Sequence, residues 1–268
     1  MTDFAGARFA TGLAVTAAVD IVAFGITWLI ARRLGRYNIV DVAWSLAIAA
    51  ITAAAFGWSA HAGGDTSRRV LTLAMTVVWA MRLAGHIGIR NRGHGEDPRY
   101  AAILRKAPGS TAAYALRRVF IPQAAIAWLI SMPMQVAMYQ RGGHMTLAVM
   151  GVVVWVTGLA FEGIADAQLA AFVRRRSSSE EVLDTGLWRY TRHPNYFGES
   201  LLWFGLWLPA AGDWRGLACV LSPAIVTYLV GFASGKPLLE KGMAKRKPAY
   251  AEYVKRTSGF IPLPPRRT

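Results

Sequence analysis

Cysteine is nearly absent from this chain of 268 residues, where Cys219 is the single occurrence. One thiol excludes an intramolecular disulfide and a cysteine-based zinc site. Charged residues are also scarce, at 17% against about 25% in an average soluble domain. Apolar residues reach 54%, and the few acidic residues leave a net charge of +15. This composition argues against an ordinary soluble domain and indicates a membrane protein.

Polar stretches are too short to form a soluble domain between the apolar segments. The positive charge therefore does not indicate a nucleic-acid partner. Low-complexity segments and clear internal repeats are lacking as well. The first apolar segment lacks a basic n-region ahead of a short h-region and runs directly into Arg32 and Arg33, which is not typical of a cleaved signal peptide. We predict one membrane-embedded domain over residues 1–268, with no oligomer implied.

Seven apolar stretches are long enough, or nearly so, to cross a bilayer. A spanning helix needs about 20 mostly apolar residues. The sequence therefore predicts an all-α, polytopic membrane bundle of about seven transmembrane helices. The stretches are roughly 10–31, 38–60, 69–90, 111–139, 145–173, 195–212 and 215–235.

Basic residues are distributed unevenly between the predicted loops. If the N-terminus lies outside, 24 of the 30 basic residues fall in cytoplasmic segments, namely 32–36, 90–118, 174–192 and 236–268. The outer segments hold five, which are Arg8, Arg68, Arg69, Arg141 and Arg215. The positive-inside rule then predicts an outside N-terminus, a cytoplasmic C-terminus and an odd number of spans.

Five of the apolar segments carry charged residues, each of which costs about 2.5–3.5 kcal/mol on membrane insertion and usually faces the bundle interior. They are Asp20, Asp41, Arg82, Glu162 with Asp166, and Glu199. Asp41 and Arg82 could form a structural ion pair or act in a reaction. Glu162 and Asp166, four residues apart, share one helical face, where two carboxylates repel each other unless hydrogen-bond donors surround them. A ligand rich in hydroxyl and amide N–H groups would supply such donors.

The stretch "RYTRHPNYFGES" over residues 189–200 carries most of the polar chemistry. Pro194 suits the first turn of a helix, which places His193 near the N-cap. Asn195 and Glu199 then follow four apart on one face.

Arginines surround this predicted helix start. Arg189 and Arg192 lie just before it, and Arg174 to Arg176 lie across a short loop. Free backbone N–H groups and positive charge at a helix start favour phosphate binding. Contact with lipid headgroups is the alternative role for these arginines.

These residues resemble a known family. "GLWRYTRHPNYFGE", preceded by "FEGIADAQLAAFVRR" and followed by "EYVKRTSGFIP", resembles the C-terminal half of bacterial membrane proteins of unknown function related to steroid 5α-reductases. "VDVAW" and "VWAMRL" with "RNRGHGEDPRY" resemble their N-terminal half more loosely. The resemblance implies NADPH held on the cytoplasmic side and reduction of a carbon–carbon double bond in a lipid.

Individual positions carry the resemblance to the cofactor site. Asn195 and Glu199 match the N-x-x-G-E pattern that holds the nicotinamide amide and ribose, and Asp166 matches an aspartate on the preceding helix. With the arginines that suit the phosphates, the predicted cofactor-binding set is Asn91, Arg92, Glu162, Asp166, Arg174, Arg189, Arg192, His193, Asn195, Tyr196 and Glu199. No metal site is expected.

The predicted catalytic residues are Asp41 and Arg82, and Asp41 is the candidate proton donor. Steroid 5α-reductases carry a Gln-Glu pair on the second helix and a tyrosine on the third, where this chain offers Asp41 and Trp79. Tryptophan cannot act as an acid, so the predicted substrate is not restricted to a steroid enone. It is a lipid-soluble molecule, either steroid-like or another enone lipid.

Two other functions stay open at this point. "RHPNYFG", with "LLEK" and "YAEYVKRTSGFIP", also resembles isoprenylcysteine and phospholipid methyltransferases, which bind S-adenosylmethionine. A transporter would instead place polar residues at mid-membrane in broken helices. The sequence favours an NADPH-dependent oxidoreductase embedded as a multi-pass protein in a bacterial inner membrane.

Overall fold

The computed structural model describes residues 6–142, 144–178, 180–233 and 235–266. Regular structure in these ranges is helical, with no β-strand and one isolated parallel bridge between Thr191 and Ser258. The prediction of an all-α protein is therefore confirmed.

The helices follow one another with short connections. The α-helices of the described ranges are α1 (Gly6–Leu34), α2 (Val40–Trp58), α3 (Thr66–Arg90), α4 (Pro98–Leu104), α5 (Thr111–Ala115), α6 (Ile121–Ile130), α7 (Met132–Ala137), α8 (Met145–Arg175), α9 (Pro194–Trp207), α10 (Trp214–Ala218), α11 (Leu221–Tyr228), α12 (Lys236–Arg246) and α13 (Tyr250–Arg256). Short 3₁₀ turns cover Tyr37–Ile39, Ser59–His61, Gly186–Arg189 and Leu208–Ala210, and π-helical turns cover Leu116–Phe120 and Leu229–Ala233.

Six helical segments of the described residues are long and apolar enough to cross a membrane, as in a multi-pass integral membrane protein. They are Gly6–Leu34, Tyr37–His61, Thr66–Arg90, Thr111–Ala137, Met145–Arg175 and Trp214–Ala233. Each corresponds to one of the predicted stretches. Position 234, near the end of the last predicted stretch, lies outside the described residues.

The remaining predicted stretch, 195–212, forms the shorter helix α9. Its 14 residues rise about 21 Å at 1.5 Å per residue, less than the roughly 30 Å of a hydrocarbon core. Pro194 occupies the first turn, as predicted, and a 3₁₀ turn follows the helix. The helix count is thus close to the prediction, with α9 too short to count as a full span.

Side-chain exposure in the long helices is the reverse of that in a soluble protein. Large apolar side chains such as Ile21, Met81 and Val153 are more than half exposed, whereas Asp20 and Glu162 are 3% and 4% exposed. In water such apolar surface would be costly, but lipid tails cover it without penalty. Charges inside and apolar groups outside therefore fit a membrane-embedded bundle.

The chain forms two compact units. The first comprises the described residues up to Met145 together with Pro209–Cys219. In it α2 packs between α1 and α3. A buried polar network joins α1 to α6 and α7, since Thr16 Oγ1 donates to Gln135 Oε1 at 2.6 Å and accepts from Trp128 Nε1 at 3.1 Å. Such hydrogen bonds link helices where neighbouring lipid offers no partner.

The second unit comprises Thr146–Leu208 and the described residues from Val220 onward. Its helix α9 packs against α11, and against α8 through glycines. A Cβ on Gly158 would lie 2.4 Å from the Leu202 backbone nitrogen, and one on Gly198 would lie 2.5 Å from that of Glu162. Since only glycine allows so close an approach, these residues let the two backbones touch.

Candidate functional site

Backbone contact between α8 and α9 brings together the polar residues that the sequence singled out on these helices. Glu162 and Asp166 lie on α8 at 4% and 7% exposure, and Glu199 lies on α9 at 7%. We call Glu162, Asp166, Asn195 and Glu199 the α8–α9 cluster. Three carboxyl groups buried within one pair of helices form an uncommon concentration of hydrogen-bond acceptors inside an apolar bundle.

Hydrogen bonds orient this cluster. Asn195 Nδ2 donates to Asp166 Oδ1 at 3.3 Å, and its amide oxygen accepts the backbone N–H of Tyr196 at 3.0 Å. Trp203 Nε1, one turn beyond Glu199, donates to the Glu199 carboxylate at 2.8 Å. The structure therefore joins Asn195 to Asp166 and fixes the direction of Glu199.

A second set of contacts, the Glu240 cluster of Arg192, His193 and Glu240, lies at the start of α9. Arg192 Nε and His193 Nε2 lie 2.9 and 3.0 Å from the same oxygen of Glu240, on α12. Because an ionised carboxylate accepts but does not donate, Nε2 of His193 carries the hydrogen. The His193 ring also stacks on Tyr196, with 5.4 Å between centroids and 4° between planes.

Charge and burial shift the pKa values of this cluster. Burial alone would raise the pKa of Glu240, but the hydrogen bonds from His193 and Arg192 outweigh it and lower the value to about 2. Burial lowers the pKa of His193 despite its carboxylate partner. The cluster thus consists of an ionised glutamate, a charged arginine and a neutral imidazole at neutral pH.

The C-terminal segment after α13 holds the start of α9 in place. Thr191 Oγ1 donates to the Phe260 carbonyl at 2.8 Å, and the Arg192 N–H donates to the Ser258 carbonyl at 2.9 Å. The Arg192 guanidinium also reaches the Thr257 carbonyl at 2.5 Å. Arg192 therefore binds protein groups on several sides, and its predicted phosphate role stays a prediction.

Other arginines of the second unit remain accessible to solvent. Arg174 is exposed at the end of α8, and Arg189 is exposed just before α9. An open cleft of about 680 Å³ is lined by Arg189, Arg256 and Arg266, with Asp184 paired to Arg256. This arginine cleft concentrates positive charge next to the start of α9.

In the first unit Asp41 belongs to a cluster that the sequence did not predict. Its carboxylate accepts a hydrogen bond from the Tyr100 hydroxyl and lies 3.1 Å from Arg99 Nη2, both on α4. Gln123 Nε2 donates to the Tyr100 oxygen at 3.1 Å. Asp41, Arg99, Tyr100 and Gln123 form the Asp41 cluster, so Asp41 pairs with Arg99 rather than forming the foreseen structural pair with Arg82.

The Tyr100 hydroxyl keeps its proton in the Asp41 cluster. Burial and then the Asp41 charge raise the pKa of Tyr100. Asp41 is the acceptor for both the Tyr100 hydroxyl and the Arg99 guanidinium. The role of Asp41 as proton donor stays a prediction, and so does the catalytic role of Arg82 on α3.

The remaining predicted residues of the first unit lie near the end of α3. Asn91 is the C-cap of α3, and its carbonyl accepts from Arg36 at 3.3 Å. Arg92 is exposed. Close by, Glu96 accepts the backbone N–H groups of Tyr37 and Asn38 at 2.5 and 2.9 Å. The loop after α3 is thereby tied to the start of α2.

Sequence reasoning missed Arg99, Tyr100 and Gln123 in the Asp41 cluster, Glu240 in its own cluster, and Glu96 as the acceptor that holds the turn before α2. Glu96 and Tyr100 both stand within the quoted motif "RNRGHGEDPRY", and Glu240 within "LLEK". These motifs stand out in the sequence, but no local periodicity connects residues about 50 positions apart. Only the tertiary contacts reveal their partners.

The sequence as a whole matches a protein family. No curated protein matches the chain, and no solved structure matches it. The family model described as "Protein of unknown function (DUF1295)" matches residues 27–257, a stretch that contains all three clusters. The chain therefore belongs to the DUF1295 family.

Proposed function

We propose that the protein is an NADPH-dependent membrane oxidoreductase that reduces a carbon–carbon double bond in a lipid-soluble substrate. The observation that carries the proposal is the hydrogen bond between Asn195 and Asp166, one turn from the buried Glu199. These three residues match the cofactor pattern of steroid 5α-reductases, to which the sequence bears a resemblance. A multi-pass protein of this kind would reside in the bacterial inner membrane.

The chemistry of the α8–α9 cluster fits the nicotinamide end of NADPH. A nicotinamide amide and a ribose offer N–H and O–H donors, and carboxylates are the strongest acceptors for them. Asp166 and Glu199 supply carboxylate oxygens, and the Asn195 amide can both donate and accept. Because the cluster lies among apolar helices, each hydrogen bond there is stronger than it would be in water.

The arginine cleft fits the phosphate end of the same cofactor. Guanidinium groups bind phosphate oxygens in pairs and keep their charge at every physiological pH. Arg189, Arg256 and Arg266 all line the cleft. Their combined charge favours NADPH over NADH, since NADPH carries one more phosphate.

Bound NADPH would supply a hydride to the substrate double bond. The protein would hold the nicotinamide through the α8–α9 cluster and exclude water with the apolar residues around it. Asn195 would orient the amide, and Glu199, itself fixed by Trp203, would orient the ribose. Asp41, the predicted proton donor, would supply the proton of the reduction.

One observation favours an S-adenosylmethionine-dependent methyltransferase as the second candidate. Glu240 of "LLEK" contacts both Arg192 and His193 of "RHPNYFG", so two motifs of the methyltransferase resemblance meet in space. S-adenosylmethionine carries a positive sulfonium and an amino group, which carboxylates attract. The arginine cleft argues against this candidate, because it repels a cation.

Ligand titration separates the two functions. The purified full chain in mild detergent would be titrated with NADPH, NADH and S-adenosylmethionine and followed by calorimetry and thermal unfolding. We expect the strongest binding by NADPH. Stronger stabilisation by S-adenosylmethionine than by NADPH would refute the reductase proposal and support the methyltransferase.

Two variants test the residues of the cofactor site. Asn195→Ala and Glu199→Gln each remove a hydrogen bond to a polar or charged group, which costs about 1.5–3 kcal/mol, or roughly ten- to a hundredfold in NADPH affinity. Glu252→Gln on the exposed face of α13 is the matched control and should bind as the parent does. Folded Asn195→Ala and Glu199→Gln proteins with parental NADPH affinity would show that the cluster does not hold the cofactor.

A further inference from the structure

The first unit contains a cleft lined by arginines at the start of α3. Its volume is about 260 Å³, and it lies between the segment after α7, the start of α3 and the segment before α10. The charged or ionisable residues that line it are Arg68, Arg141, His144, Asp213 and Arg215. We call it the Arg68 cleft.

Three of the five basic residues predicted at the outer end of the bundle line this one cleft. The positive-inside rule explains why that end has few basic residues. It does not explain why Arg68, Arg141 and Arg215 converge in the folded protein. Membrane topology therefore does not account for the grouping of these three arginines in one cleft.

The Arg68 cleft is a preorganised structure. Arg68 is 6% exposed, and its guanidinium donates to Gln140 Oε1 at 3.0 Å and to the Gly142 carbonyl. Gln140 in turn donates to the Ala210 carbonyl at 2.7 Å and to Asp213 Oδ1 at 2.8 Å. The three segments are thus bound to one another through Gln140, which fixes the walls of the cleft.

Acidic groups compensate the arginines only in part. Arg68 donates to neutral oxygens, and the contact from Arg215 Nη1 to Asp213 Oδ2 is 3.5 Å long. Arg141 Nη2 reaches the Ala62 carbonyl at 3.5 Å. Guanidinium groups cannot lose their protons at physiological pH, so the lining carries three positive charges against the one carboxylate of Asp213, with Asp65 as a second acid beside Arg68. An anion in the cleft would offset that excess.

The residues around the cleft have the composition of a membrane–water interface. Trp214, which lines it, is 69% exposed and lies under the Arg215 guanidinium, 4.8 Å from the ring centroid. Leu217, on the same helix α10, is 53% exposed. Exposed tryptophan beside arginine is typical of the headgroup layer of a bilayer.

We propose that the Arg68 cleft binds a phosphate group through Arg68, Arg141 and Arg215. Phosphate presents several oxygens to guanidinium forks, and its charge matches the excess in the cleft. A phospholipid headgroup and a soluble phosphate present the same chemistry. This site shares no residue with the α8–α9 cluster and does not depend on the proposed reductase activity.

The test compares two phosphate sources in the full-length protein. Native mass spectrometry would count phosphatidylglycerol molecules retained in detergent, with phosphatidylcholine as the zwitterionic comparison, and thermal unfolding would follow a titration with inorganic phosphate. The variant Arg141→Gln/Arg215→Gln removes two exposed or half-buried arms of the cleft and leaves the buried Arg68 in place. The double variant Arg32→Gln/Arg33→Gln, which removes two exposed charges in the last turn of α1, is the matched control.

We expect at least one phosphate source to bind about tenfold more weakly to the cleft variant, because that variant loses charge-assisted hydrogen bonds. The control variant should bind as the parent does. A loss confined to phosphatidylglycerol assigns the cleft to a lipid headgroup, and a loss confined to inorganic phosphate assigns it to a soluble ligand. Equal binding by parent and cleft variant, or equal loss in the control, overturns the proposal. If the double variant does not fold, Arg141→Gln alone gives the same comparison, because among the described residues the Arg141 side chain makes one hydrogen bond, a long one to the Ala62 carbonyl.

Discussion

Replacement of Glu240 by glutamine is the most direct test of how the start of α9 is held. Glutamine keeps the size and shape of the side chain and can still accept from His193 Nε2. It removes the negative charge from beside Arg192, whose side chain is only 9% exposed. The free energy of unfolding should therefore decrease, since a largely buried cation loses its counter-charge.

The pKa of Glu240 sets the size of the effect. That pKa lies at about 2, against 4.5 for an unpaired glutamate. At about 1.4 kcal/mol per pKa unit, the difference corresponds to roughly 3 kcal/mol of favourable interaction with the ionised form. Because the Glu240 side chain is 22% exposed, water screens part of the interaction, and we expect a loss of about 2 kcal/mol at neutral pH.

The direction of the pH dependence follows from the lowered pKa. A carboxylate whose pKa is depressed by folding stabilises the folded state above pH 4.5 and loses that contribution as pH falls toward 2. The parent and Glu240→Gln proteins should therefore converge in stability as the pH decreases. Parental stability of Glu240→Gln throughout this range would refute the role given to the carboxylate.

Unfolding of the full chain in mixed detergent micelles, followed by tryptophan fluorescence, measures the difference. Glu252→Gln is the matched control, because Glu252 and Lys255 form an exposed pair on α13 with side chains 66% and 64% exposed. Such a pair contributes about 0.3–0.5 kcal/mol. An effect of Glu252→Gln as large as that of Glu240→Gln would show that the assay reports net charge and not the buried contact.

Three further predictions concern other contacts. Burial lowers the pKa of His193 from 6.5, so the unfolded chain takes up a proton at a higher pH than the folded chain does. The free energy of unfolding should therefore decrease as the pH falls below about 6.5. His193→Gln should reduce this decrease in a pH series of unfolding curves. Gly198→Ala would place a methyl group 2.5 Å from the Glu162 backbone nitrogen, so we expect about 1–3 kcal/mol of destabilisation. An unchanged melting temperature would contradict the contact between α8 and α9. Tyr100→Phe removes the hydroxyl between Asp41 and Gln123 and should lower the free energy of unfolding by about 1–3 kcal/mol. Equal stability of parent and variant in the same unfolding assay would argue against a structural role for this hydroxyl.

The membrane helices could be predicted because each long apolar stretch specifies its own secondary structure. In lipid a segment must satisfy its backbone hydrogen bonds internally, so apolar length alone favours a helix. The stretch 195–212 was harder to predict, since Pro194 fixes its start clearly but local hydropathy does not reveal where the helix ends. It ends at Trp207, where the backbone tightens into a 3₁₀ turn around Pro209.

The polar residues could be predicted only where neighbours in sequence are neighbours in space. Spacing by four residues places Glu162 beside Asp166 on one helix, and the sequence could suggest that much. The packing of Gly198 against α8 turns this into a cluster with Asn195, and a pattern of residue types does not encode that contact. Glu240 illustrates the limit, since its partner Arg192 lies 48 positions earlier.

The length of α8 sets the depth of its two carboxyl groups. Its 31 residues extend about 46 Å, roughly 16 Å more than the hydrocarbon thickness of a bilayer. Measured from Met145 along the axis, Glu162 lies about 26 Å and Asp166 about 32 Å from the start, at 1.5 Å per residue. If the hydrocarbon layer begins at Met145, Asp166 reaches the headgroup layer about 12 Å before Arg174, and Glu162 lies about one turn inside the hydrocarbon. A water-soluble nucleotide could then reach Asp166 without crossing hydrocarbon, while a lipid-soluble molecule could approach Glu162 from within the bilayer.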